Sequence, residues 1–92
     1  MEAKIKMIAA ATEALNFLRK NPKSIDSEVL QYVTDYIVSE NIKDYSIKFG
    51  MIAAATEAYN IFMKDSKISD KEILKQVMLR IPDIMHSITA IK

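Results

Sequence analysis

The chain has 92 residues, half of them apolar, with 13 basic and 12 acidic side chains. Zero cysteines and a single histidine, His86, exclude a disulfide scaffold, a thiol nucleophile and Cys-ligated zinc. A net charge of +1 is not the overall basic excess of a protein built to coat nucleic acid.

Helical periodicity runs through the whole chain, and nothing alternates with the period of a strand. In the first predicted helix Ile5, Ile8, Ala11, Leu15 and Leu18 recur at spacings of three and four. Asn21-Pro22 stops it, because proline disfavours helix at the residue before it. Asp26 is the expected N-cap of the second helix, with Ile25 and Leu30 as a hydrophobic staple. Its apolar face carries Val29, Leu30, Val33, Tyr36 and Ile37, and Asn41 suits a left-handed C-terminal residue. Asp44 or Ser46 caps a third helix whose face is Met51, Ile52, Ala55, Tyr59 and Phe62. Ser69 to Glu72 forms a capping box for a fourth, with Ile68 against Ile73, followed by Leu74, Val77, Met78 and Ile81. This cap falls 43 residues after Asp26, which predicts a second loop one residue shorter than the first. Pro82 should end or kink this helix, or open a short fifth one with Ile84, Met85, Ile88 and Ile91.

The strongest signal is internal. Residues 7–14 and 51–58 are the same eight letters, and 7–37 matches 51–81 at 16 of 31 positions. The expected fold is therefore all-α: four to five short helices forming two duplicated hairpins about a pseudo-twofold axis. A single domain over 1–92 divides into repeats at about 3–40 and 46–81 plus a C-terminal helical segment, 82–92. Ala9, Ala10, Ala11 and Ala14, copied as Ala53, Ala54, Ala55 and Ala58, give the first and third helices small surfaces that can cross closely, with Gly50 beside the contact.

Chemistry is sparse. One glycine leaves no phosphate-binding loop, and one imidazole leaves no nucleophile with a positioned base. The two helix–loop–helix units resemble EF-hands in layout only. Counting back from Glu72 puts Ile61 and Met63 where calcium ligands belong. No metal, cofactor or catalytic residue is expected. Two candidate sites remain. Thr12, Glu13 and Asn16, repeated as Thr56, Glu57 and Asn60, form a polar site if the pseudo-twofold brings them together. Arg19, Lys20 and Lys23, with Lys64, Lys67 and Lys71, form a basic phosphate-contacting patch if both hairpin turns share one end.

Six methionines, four tyrosines and three phenylalanines exceed what short helices readily bury. The leading expectation is a non-enzymatic protein-interaction module, self-associating as a homodimer or binding another protein. The alternatives are a nucleic-acid accessory protein using the basic turns, and a bundle binding lipid or another apolar ligand. No apolar run approaches the ~20 residues of a membrane span, and Met1 to Lys4 lacks a secretory apolar core, so a cytoplasmic location is expected. Isoleucine exceeds leucine 14 to 5 and lysine exceeds arginine 11 to 2, a bias common to AT-rich genomes and thermophiles.

Overall fold

The computed structural model describes residues 2–91, with side chains from 3 to 88. It contains four helices: α1 (Glu2–Lys20), α2 (Asp26–Ser39), α3 (Tyr45–Lys64) and α4 (Asp70–Ile91). There is no strand among the described residues.

Local chemistry explains most of the boundaries. Asn21 closes α1 by donating its backbone N–H to the Phe17 carbonyl at 2.9 Å. The cap of α2 is Ile25, not Asp26. The Glu28 carboxylate accepts the Ile25 backbone N–H at 2.9 Å, and Asp26 becomes the first helical residue. A carboxylate there still faces the positive end of the helix dipole. Ile25 itself stays largely exposed. The α2 exit is a Schellman turn. Asn41 has φ of 57°, its N–H reaches the Val38 carbonyl, and the Ile42 N–H reaches that of Ile37. Asp44 caps α3, accepting the N–H groups of Ser46 and Ile47 at 2.9 and 3.2 Å. Ser69 caps α4, its hydroxyl accepting the Glu72 N–H at 3.2 Å.

α2 and α4 thus start at Asp26 and Asp70, a 44-residue offset that matches the sequence repeat, and the expected one-residue shift is absent. The expected fifth helix is also absent, since α4 runs unbroken through Pro82. Proline removes one N–H bond, to the carbonyl four residues earlier. Ile84 packs against the core beyond it, and Ile88 reaches Gly50, which holds the helix together past the gap. The side chain of Ile91 lies outside the described residues.

Contacts between helices fix their directions. A Cβ built on Gly50 would meet Met7 Sδ at 3.0 Å, so the N-terminal halves of α1 and α3 meet. The Arg19 guanidinium lies 4.8 Å over the Phe62 ring, so their C-terminal ends meet as well. α1 and α3 therefore run parallel, and theirs is the most extensive helix contact. Ala10, Ala11, Ala14, Ala54, Ala55 and Ala58 are fully buried, which lets the two backbones approach closely. α2 and α4 each pack on both central helices and, among the described residues, not on each other. The section is a rhombus with α1 and α3 on its short diagonal, and the extents are 36 × 26 × 19 Å.

This arrangement corrects the expected face of α1. The buried row is Met7, Ala10, Ala11, Ala14, Leu15 and Leu18, while Ile5 is exposed and Ile8 only half-buried. In α4 Met78 is likewise exposed, whereas Ile73, Val77 and Ile81 are buried. No described helix is long and apolar enough to cross a membrane.

Candidate functional site

The two polar boxes do not assemble into one site. By 100° steps around α1, Thr12 and Glu13 stand on opposite flanks of the alanine face. Glu13 turns to α2, where its carboxylate accepts the Tyr32 hydroxyl at 3.2 Å. Tyr32 stacks on Phe17, with centroids 4.8 Å apart. Glu57 turns instead to α4 and pairs with Arg80 at 3.4 Å. Each repeated glutamate thus bonds to the helix that follows it. Thr12 and Thr56 both bond back to carbonyls of their own helices, Ile8 and Ile52, at 2.8 Å. Thr56 and Asn60 line a small recess against Asp26, Val29 and Leu30 of α2. Its volume is about 60 Å³, far below a ligand pocket of about 300 Å³. Asn16 is exposed on the outer surface of α1. Among the described residues no three His, Asp or Glu side chains are grouped to hold a metal.

Two tyrosines sense this network. The hydrogen bond to Glu13, then burial and the Glu13 charge, hold the Tyr32 hydroxyl above its usual value of 10.0. Burial, then the charges of Glu40 and Glu13, raise Tyr36 above the same value.

The basic turns do share one end of the bundle, because α1 and α3 are parallel. Arg19, however, is committed to the fold. Its Nε bonds Asp70 at 2.8 Å, and its two terminal nitrogens bond the Ser66 and Ile68 carbonyls at 2.7 Å. It closes the second loop from the first hairpin and stacks over Phe62. Lys20, Lys23, Lys64, Lys67 and Lys71 are exposed around it. Asp65, which bonds the Lys67 N–H, and Asp26 sit among them and dilute the charge.

No family model, curated protein or solved structure matches this chain.

The largest departure from an ordinary solvated surface lies on α3. Tyr45, Phe49 and Ile52 follow at four- and three-residue spacing and form one exposed row, with Tyr45 77% and Phe49 47% accessible. Tyr45 and Phe49 pack edge to face, their centroids 6.5 Å apart. Met63 extends the row toward the C-terminal end of the helix, also exposed. Sequence periodicity assigned Ile52 to the core, and it missed Tyr45 and Phe49. The signal was present: α3 carries apolar residues on every face, more than one buried stripe can absorb.

A second apolar feature is an open groove of about 270 Å³ between α1, α3 and α4. Ala3, Met7, Ile47, Met85 and Ile88 form its floor, with Asp44 and Ser46 at the rim. Met7 and Ile88 converge there on Gly50.

Proposed function

We propose that this chain is a non-enzymatic protein-interaction module, made of two copies of a helical hairpin, that docks a partner protein on the outer face of α3. The observation that carries this reading is the exposed Tyr45–Phe49–Ile52 row. Aromatic side chains left in water cost free energy, and burying two rings and an isoleucine returns several kcal/mol at roughly 25 cal/mol per Å². Tyrosine and phenylalanine are also the residue types enriched at the centres of protein interfaces. The partner is a protein offering a complementary apolar helix face, either a second copy of this chain or another protein.

The duplication is supported by burial as well as sequence. Met7 and Met51, Ala10 and Ala54, Ala14 and Ala58, Val33 and Val77, and Ile37 and Ile81 are all buried in both copies. The rhombic packing of α1 and α3, with α2 and α4 at its far corners, is what a pseudo-twofold along the bundle axis produces. A cytoplasmic setting fits a cysteine-free chain.

Capture from the native host's extract tests the reading. Wild-type chain should retain a protein partner from about 50 to 200 mM salt, since an apolar contact releases few counterions. Phe49→Asp should lose it, and charge reversal at Lys20, Lys23, Lys64 and Lys67 should not. Nucleic acid retained at low salt and lost on those reversals, with Phe49→Asp inert, would replace this reading with phosphate contact at the basic turns.

A further inference from the structure

α3 differs from the other three helices in what it shows to solvent. From Tyr45 to Met63 its exposed side chains are Tyr45, Phe49, Ile52, Asn60 and Met63, none of them charged. α1 shows Lys4, Arg19 and Lys20, α2 shows Asp26, Glu28 and Asp35, and α4 shows charges of both signs. The uncharged row is about 27 Å long. Lys48 and Glu57 are half-buried on its flanks, Lys48 toward α2 and Glu57 toward α4. Glu57 is bonded to Arg80, which also holds Asp83. The matching face of α1 has Ile5 and Arg19 where α3 has Phe49 and Met63, and Arg19 is taken by the second loop. Bulk is graded along the α3 row. Tyr45, Phe49 and Ile52 fill its N-terminal half, and the slimmer Thr56, Asn60 and Met63 its C-terminal half.

We infer that the partner of this face is a second copy of the chain, packed α3 against α3 in antiparallel sense about a twofold axis level with Ala54. This rests on the reading that the α3 row docks a protein, and it names that protein. In this register Tyr45 lies level with Met63 of the other copy, Phe49 with Asn60 and Ile52 with Thr56, so bulky side chains meet slim ones. A parallel pair would set Tyr45 and Phe49 on their own copies and leave a gap at Thr56 and Asn60. The bordering charges agree with the antiparallel sense. Asp44 comes level with Lys64 of the other copy, and Lys43 with Asp65. Asp26 lines a recess beside Thr56, Tyr59 and Asn60, which brings it level with Lys48 of the other copy on the same flank. Each pairing occurs twice by symmetry, whereas a parallel pair would oppose like charges at the same positions. At 77% and 47% accessible, Tyr45 and Phe49 leave roughly 250 Å² of ring-bearing side chain in water, because each such residue brings about 150–250 Å². Counted on both copies this is about a third of a standard interface of ~1,600 Å², and Ile52, Met63 and their neighbours bring it toward ~1,200 Å², the low end for a specific contact. The contact is isologous and uses up the row, so association stops at two.

Sedimentation equilibrium of the whole chain tests this. The wild type should fit a reversible monomer–dimer equilibrium with nothing larger, little changed from about 50 to 300 mM salt. Phe49→Asp alters an exposed side chain, so it should keep the wild-type circular dichroism and weaken dimerisation at least tenfold. Ile5→Asp, at the matching position of α1, should leave the dimer intact. Thiol cross-linking reads the sense of the pair, because the chain has no native cysteine. With a short bismaleimide at millimolar protein, Tyr45→Cys mixed with Met63→Cys should give cross-linked dimer. Neither variant alone should, since each cysteine then lies about 27 Å along the axis from its own copy. A wild type monomeric at millimolar concentration overturns the inference, while a different protein still captured through Phe49 would uphold the docking reading. Cross-linking of either single variant alone, or growth past the dimer, also overturns it. A dimer broken by Ile5→Asp and untouched by Phe49→Asp overturns it as well, by moving the contact to α1.

Discussion

Replacing Arg19 with methionine keeps the packing of the aliphatic stem and deletes the guanidinium. That group makes an ion pair to Asp70 at 2.8 Å, two bonds to the Ser66 and Ile68 carbonyls at 2.7 Å, and a stack on Phe62 at 4.8 Å. The pair is about one-third exposed on both sides, so its share is discounted to about 0.5 kcal/mol. Each carbonyl bond contributes about 0.5–1 kcal/mol net, and the stack about 0.5 kcal/mol. The loss is about 2–3 kcal/mol, or roughly 10 °C or more in Tm for a domain of this size. Arg19→Lys keeps the charge but has no planar fork and should recover only about a third of the loss. Thermal unfolding followed by circular dichroism measures both. If Arg19→Lys melts with the wild type, or Arg19→Met loses less than about 3 °C, the guanidinium is a surface charge that does not hold the second loop to α1.

Ala54→Leu places a branched side chain between α1 and α3 at a fully buried position and should cost about 1–3 kcal/mol in denaturant unfolding. Tyr32 and Tyr36 are held protonated in the folded state, so their stabilisation is complete below pH 10.0 and lost as pH rises above it. Tyr32→Phe should flatten the alkaline fall in stability measured from pH 9 to 11 (about one unit either side of the tyrosine value). Calcium or zinc at about 100 μM should leave Tm unchanged, whereas a site with Kd of about 1 μM would stabilise by about 2.7 kcal/mol.

Much of the fold was legible in the sequence because its signals are local. Asn41 tolerates a left-handed backbone, Asp44 offers a carboxylate to free N–H groups, and copied alanines mark a close crossing; each works without knowledge of distant residues. The errors came where tertiary packing decided. Ile5 and Ile8 fit a helical stripe as well as Met7 and Ala10 do. Only the approach of α3 selects the alanine side, which turns Ile5 to solvent. Arg19 looked like a phosphate contact because its three partners lie 47 to 51 residues away. The polar boxes looked like one site because they occupy matching positions 44 residues apart, while Glu13 and Glu57 bond to different helices. The cap of α2 was misplaced by one residue because the Glu28 and Val29 N–H groups bond the Ile25 carbonyl, while the Glu28 carboxylate reaches back to the Ile25 N–H.

Site-specific photo-crosslinking in the native host tests the docking surface most directly. A benzophenone-bearing phenylalanine at position 49 sits on the exposed row of α3, and the same group at position 67 sits among the basic turns. Discrete protein adducts are expected from position 49, persisting at about 200 mM salt, and none from position 67. Adducts from position 67 alone, or nucleic acid attached there with position 49 silent, would contradict docking on α3.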